Sequence, residues 1–305
     1  MLVEAGCVTS ANKLSNYKKE GVQYGTTKGT FRGRWWNCYE RGRSYQDGAF
    51  YKEAENDFRT ALASYAQDEL WARTYGLHFI PEFFPHRELG VTLYYEKRFP
   101  ESIAELELSL QQQHSARAAY FLDEARKELI QSAGQDAPAP AITIRTPTPG
   151  SRFASLHADV TGEVNGANHI AALRINGRKY PLAVSNEHVE FTYQLQLRPG
   201  SNEIVIEADD LAAKHSKETL QINVDVDGPV VSFDPAGPVP GQVRGVAFDA
   251  SGVESLRMGD RQADVQRAQD GRVTFSFVAP ESPADRALTY ECRDTLGNAT
   301  RGSVP

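Results

Sequence analysis

The side chains with the most chemical potential are paired carboxylates, scattered histidines and three cysteines. Asp209–Asp210 and the run "VDVDGP", with Asp225 and Asp227, bring acids close together. Calcium would need several converging oxygen ligands at such a place, and neither stretch has the spacing of a calcium loop. Acids at strand ends also serve as turn caps, and that is the expected role here. The seven histidines are dispersed and form no HExxH pair, although "HRELG" at His86 superficially resembles part of one. "GVQYGTTKGT" lacks the order of glycines, Lys and Ser/Thr that cradles a phosphate, and no GxSxG elbow occurs. Asn298-Ala299-Thr300 is formally a glycosylation acceptor. Cys7, Cys38 and Cys292 lack zinc or CxxC spacing, and Cys38 and Cys292 read as small buried hydrophobes. No catalytic residue, metal site or cofactor is expected.

Binding is the remaining chemistry. Two rows of aromatic and arginine residues, Trp36, Tyr39, Arg43 and Gln46, then Phe84, Arg87, Val91 and Tyr94, have the spacing of one helix face each. Together they would offer rigid apolar area and carboxylate recognition for a protein or peptide partner. The same residues equally suit packing against a neighbouring loop or sandwich.

The rows sit on repeated helical units. Counted from Trp35, residues Gly42, Tyr45, Ala54, Phe58 and Ala61 fall at the signature positions of the tetratricopeptide repeat (TPR), a helix-turn-helix of about 34 residues, which this stretch resembles. The small residues let two helices approach closely, and the aromatics fill the space beside the crossing. A second copy begins at Phe83, 48 residues later, with Leu89, Gly90, Leu93, Phe99, Ser102, Leu106 and Ser109 at matching places. The extra residues lie in "DELWARTYGLHFIPEFFP", which is expected to lengthen the second helix and form an aromatic loop ending at Pro81 and Pro85. "SARAAYFLDEARKELI" reads as a capping helix with Tyr120, Leu122, Ala125 and Leu129 inward.

After the linker 133–140 the texture changes to short alternating strands. "VEFTYQLQL" and "TLQINVDV" each bury one face, and Asn176-Gly177 marks a hairpin. "VTGEV" at Val160 matches "VRGVA" at Val243, 83 residues on, and Asp210 precedes Asp294 by 84. Two modules in tandem, 141–226 and 227–305, follow from this. The first resembles bacterial immunoglobulin-like (Ig-like) domains through Ile175-Asn176-Gly177, Pro181-Leu182, Phe191, Leu197, Pro199-Gly200, Asn202, Ile204, Ile206, Ala208 and Asp210. The expected fold class is multidomain α plus all-β: TPR-like helical hairpins over 35–132, then two tandem Ig-like β-sandwiches.

At 305 residues the chain suits two or three domains, and a net charge of -7 argues against bulk attraction to nucleic acid. No apolar stretch is long enough to span a bilayer. Ala5-Gly6-Cys7 resembles the lipobox of bacterial lipoproteins, although only six residues precede Cys7 and Glu4 stands where an aliphatic residue is usual. That resemblance implies acylation at Cys7, residues 1–34 as a tether, and a place in the cell envelope, with the membrane reached only through that lipid. The expected function is a non-catalytic envelope scaffold or adaptor. Its alternatives are a regulatory region of a larger bacterial enzyme, for example one with a caspase-like peptidase domain, and a carbohydrate-binding surface protein.

Overall fold

Small residues spaced along the first helical stretch decide how closely its helices pack. In the computed structural model, which describes residues 17–134, 136–235, 241–279 and 288–304, α1 (Trp35–Asp47) and α2 (Tyr51–Ser64) fold back on each other through a three-residue turn. A Cβ on Gly42 would lie 2.8 Å from the Phe58 ring, so only glycine admits that ring. Ala54, Phe58 and Ala61 are fully buried across the crossing. The second pair, α3 (Pro85–Tyr95) and α4 (Phe99–Gln112), repeats the device, with Gly90 against Leu106. Pro85 and Pro100 stand in the first turns, where a missing N–H costs little. Ser102 replaces the alanine of the first pair, and its hydroxyl donates to the Gly90 carbonyl at 2.7 Å. The polar atom is thereby satisfied inside the helix contact.

The last helix, α5 (Ala116–Ala133), starts at a Ser115 cap and ends at Gly134 in the left-handed region. Its buried stripe is Ala118, Phe121, Leu122 and Ala125, the spacing of one helix face. Tyr120 and Leu129, expected to point inward, are exposed because they fall to either side of that stripe.

Two further expectations are corrected. Residues 17–34 are not a free tether. Tyr17 stacks edge-on against Tyr45 and Phe50, and the short strands β1 (Lys18–Lys19) and β2 (Val22–Gln23) turn the chain back. Gly25 then lies against the Tyr45 ring, with its N–H donating to Ser44 Oγ at 3.1 Å. Cys7 lies outside the described residues. The insertion between the helix pairs is not an extended helix and loop but a hairpin of β3 (Glu69–Tyr75) and β4 (His78–Phe83). Trp, Thr, Tyr, Phe and Ile dominate this stretch and favour strand over helix, and Gly76 supplies the positive φ of its turn.

The strands after residue 140 form two units on one plan. In the first, β5 (Ala141–Thr146), β6 (Arg152–Phe153), β7 (His157–Ile175), β8 (Arg178–Tyr180), β9 (Asn186–Gln196), β10 (Gly200–Asp210) and β11 (His215–Val224) are joined through the 19-residue β7. The first half of β7 pairs with β5 and β9, and its second half with β8 and β10. In the second unit β13 (Gln242–Phe248) and β14 (Val253–Met258) divide that role. The former pairs with β12 (Val230–Phe233) and β17 (Val273–Val278), and the latter with β15 (Arg261–Gln262) and β18 (Thr289–Asp294). Then β19 (Ala299–Ser303) pairs with β18 as β11 pairs with β10, while β16 (Asp264–Arg267) adds an edge to β17.

Side-chain detail matches the plan. Gly162 and Gly245 each face a Phe ring, Phe191 and Phe275, and a neighbouring-strand carbonyl that any Cβ would strike. Asp210 and Asp294 each cap the turn four residues ahead, accepting from the N–H of Lys214 and Asn298 at 2.8 and 2.7 Å.

Both joins carry polar contacts. Arg126 on α5 donates to the Ser185 carbonyl at 2.7 Å, and Ser185 Oγ donates to Asp123 at 2.5 Å. Between the two β units, Ser251 Oγ donates to Asp225 at 2.5 Å, Asn298 Nδ2 donates to the Asp225 carbonyl at 2.8 Å, and Arg152 reaches the Ala250 carbonyl.

Candidate functional site

The expected groove is largely occupied by the protein itself. Phe83 at the end of β4 is fully buried, with ring centroids 4.5 Å from Trp35, 4.8 Å from Tyr39 and 5.4 Å from Tyr65. The hairpin is thereby anchored beside α1. Tyr39, Gln46, Phe84, Arg87 and Val91 are buried. Tyr39 Oη accepts the Phe84 N–H at 3.3 Å, and Gln46 Nε2 donates to the Glu88 carbonyl at 2.9 Å and to Thr92 Oγ1 at 3.0 Å. These are helix-to-helix bonds. Tyr94 lies apart from the rest, packed against Phe99 and Phe121. Of the eight residues, Trp36, Arg43 and Tyr94 keep partial exposure.

Arg87, expected on the surface, is only 5% exposed and stacks over the Phe84 ring at 4.1 Å. Its Nε donates at 2.8 Å to Glu88, a carboxylate almost wholly out of solvent. Arg43 from α1 and Arg117 from α5 also approach Glu88, at 3.9 and 3.4 Å. A buried carboxylate must be paired to be tolerated, and this one draws three helices together in return. Asp68 plays a related part, accepting the His86 and Arg87 N–H groups at 2.8 and 3.1 Å at the start of α3. His86 Nδ1 lies 2.6 Å from Glu105. Burial would push this imidazole down, but the bond to Glu105 and the charges of Glu105 and Asp68 outweigh it and hold its pKa above the ordinary value. Sequence spacing signalled none of these buried ionic contacts.

Two clefts stay open beside α1: one of about 670 Å³ is lined by Tyr39, Arg43 and Glu82 among others, and a larger one lies at the N-terminal end of the helix. The larger cleft, of about 1050 Å³, runs between the 28–34 segment, the first turn of α1 and the β3–β4 hairpin. Lys28, Arg32 and Arg34 line it, and none of the three lies within 4.0 Å of a carboxylate among the described residues. Opposite stand Trp36, Tyr75 and His78, with Tyr75 and His78 stacked at 5.2 Å and Trp36 5.9 Å from Tyr75. Arg34, at the N-cap, makes no side-chain cap, and no acid occupies the first turn of α1. Glu40 is the one carboxylate lining the cleft. The signal available in sequence was the charge of residues 17–34, five cations against Glu20, in a chain that is -7 overall.

Among the described residues, several other groups that could do chemistry are engaged. Cys38 and Cys292 are buried, and burial, followed by nearby carboxylates, raises both thiols, Cys292 to about 11. Neither is poised as a thiolate. Asp209 bonds His215 and Arg174, and these partners hold its pKa down. Asp225, Asp249 and Asp294 converge at the joint between the β units closely enough to share an ion. Their oxygens accept from Ser251 Oγ, Ser251 N–H and the Leu296 and Asn298 N–H groups, so turn and joint geometry accounts for them. Glu163, His188 and Glu190 also cluster, and Arg145 pairs with both glutamates.

No protein-family model matches the chain. Bacillopeptidase F of Bacillus subtilis (strain 168) is 26% identical over 190 residues, covering 54% of this chain and 13% of that protein. The chain thus corresponds to a small fraction of that relative's length. Among solved structures, the fibronectin(III)-like modules of Clostridium thermocellum CbhA are 15% identical, covering 54% of this chain and 92% of that one, with a TM-score of 0.31. Dimeric latent PorU of Porphyromonas gingivalis is 14% identical over 57% of this chain and 20% of that one, with a TM-score of 0.26. The chain is a multidomain protein, with a helical N-terminal region followed by β-sheet domains of mainly antiparallel strands.

Proposed function

We propose that the chain is a non-catalytic accessory region of a larger bacterial peptidase, in which a TPR-like helical unit recognises a protein segment and two tandem Ig-like modules hold it at a set distance. The observation that carries this reading is the likeness to bacillopeptidase F, confined to 13% of that protein. The buried thiols and the carboxylates committed to turns agree with a role other than catalysis. The test compares this 305-residue chain with the product of the gene's full reading frame, using casein hydrolysis and labelling by a fluorophosphonate probe and a cysteine-directed chloromethyl ketone. The chain alone should be inert, and the full product should carry a labelled peptidase domain whose rate changes when residues 17–134 are removed. Hydrolysis by the chain itself, or a full product with no peptidase activity, would reject the proposal.

A second reading rests on Ala5-Gly6-Cys7: an envelope scaffold anchored by lipid at Cys7, with no enzyme attached. Labelled palmitate entering the wild-type precursor but not Cys7→Ser would favour it. Equal labelling of the two would remove it.

A further inference from the structure

We propose that the cleft at the N-terminal end of α1 binds an acidic peptide segment, a refinement that rests on the helical unit being a protein-recognition module. The cleft has an excess of positive charge, three cations against Glu40, and an aromatic wall. Lys28, Arg32 and Arg34 stand on the 28–34 side without carboxylate partners among the described residues. Elsewhere most arginines of the helical unit are neutralised, among them Arg41 by Asp57, Arg87 by Glu88 and Arg98 by Glu55 and Glu101. The three cations at this opening therefore contrast with the mostly neutralised arginines of the helical unit.

The first turn of α1 adds to the field. Its free N–H groups carry the positive end of the helix dipole, and neither a cap side chain nor an acid offsets it. Asn37 is buried in the cleft wall, where its Oδ1 accepts the Arg32 N–H at 3.1 Å. Its amide nitrogen makes no hydrogen bond to a described atom and can donate to a ligand or to solvent.

Trp36, Tyr75 and His78 form the facing surface, and Arg34 lies 5.9 Å from the Trp36 ring. Stacked rings beside cations suit a chain that alternates carboxylates with apolar or aromatic side chains. The charge balance points to a peptide rather than a longer polyanion. With -7 overall, the molecule repels an extended polyanion once it leaves this opening, whereas a segment a few residues long stays within it. The cleft is also bounded by loop, helix and hairpin, which suits an inserted chain better than a flat lipid surface.

The test uses fluorescence anisotropy with the whole chain and a fluorescein-labelled peptide of Glu-Glu-Tyr repeats, beside its Gln-Gln-Tyr counterpart. The acidic peptide should bind and the neutral one should not, and binding should weaken steeply between about 50 and 500 mM salt. The double variant Arg32→Glu, Arg34→Glu should lose about tenfold or more in affinity. Trp36→Ala should also weaken binding, with unchanged circular dichroism confirming that both variants fold. Equal binding of the two peptides, or an unaltered affinity in the double variant, would overturn the proposal. So would tighter binding to phosphatidylglycerol vesicles than to the peptide. The broader reading fails separately: it falls if the full gene product has no peptidase activity, whatever the peptide does. If the double variant keeps its affinity while the full product is an active peptidase, only the assignment of this cleft is lost.

Discussion

Replacing Phe83 with alanine separates a hairpin that is part of the helical core from one that merely decorates it. The ring is fully buried and has aromatic partners on α1 (Trp35 and Tyr39) and just after α2 (Tyr65). Removing it forfeits a transfer free energy of about 2–3 kcal/mol. The site cannot collapse freely around rings held on separate elements, so a residual cavity adds to that cost, as do the lost edge-to-face contacts. The sum falls near 4 kcal/mol, within the usual range for Phe→Ala in a core. Urea unfolding followed by far-UV circular dichroism reads this directly, because the helical signal comes from α1 to α5. With a slope of about 2 kcal/mol/M, the midpoint of the helical transition should fall by roughly 2 M. Leu77→Ser, at the hairpin tip where the side chain is 91% exposed, is the internal control and should leave the midpoint in place. A loss below ~1 kcal/mol for Phe83→Ala would mean that the hairpin is not core, and the helix faces it covers would again be open to a partner.

Three further outcomes follow from the packing and the charges. Gly90→Ala should cost about 1–2 kcal/mol despite the gain in helix propensity, because its Cβ would sit 2.6 Å from Leu106 Cγ; combined with Leu106→Ala in urea titrations, the two losses should total less than their sum. The raised pKa of His86 stabilises the helical unit fully below the unfolded value of about 6.5 and loses that contribution as pH rises through the higher folded value. Melting curves across this range should therefore show a decline that His86→Gln flattens. Millimolar calcium should leave the melting of the β units unchanged, since the carboxylates at their joint already accept protein donors, and a marked rise reversed by chelator would show that Asp225, Asp249 and Asp294 hold an ion.

Legibility varied with the range of the interaction. Gly42, Ala54, Gly90 and Leu106 announce helix crossings because the steric demand is local and periodic, and the 83- and 84-residue offsets announced the paired β units. Gly162 and Gly245 turn out to face equivalent rings, so those offsets reflect equivalent environments and not chance similarity. The hairpin is not legible because "LWARTYGLHFIPEFF" is apolar without clean alternation, a pattern that does not separate strand from helix or loop. Its placement over α1 is a tertiary choice, and that choice buried Tyr39 and Phe84 of the expected groove. Arg87 was misplaced for a related reason. A helix face shows where a side chain starts but not that Glu88 and the Phe84 ring will draw it inward. The larger open cleft is not legible because its cations lie in a polar segment with no periodic pattern, and proximity to Tyr75 and His78 exists only after folding.

The bonds at the two joins have a mechanical consequence. Arg126 and Asp123 hold Ser185 to the helical unit, and Asp225 is held by Ser251 and Asn298 from the next module. These bonds oppose free rotation of each unit about the segment that joins it to the next. Breaking the Ser185 clasp would free the helical unit to swivel against the first β unit while leaving both cores intact.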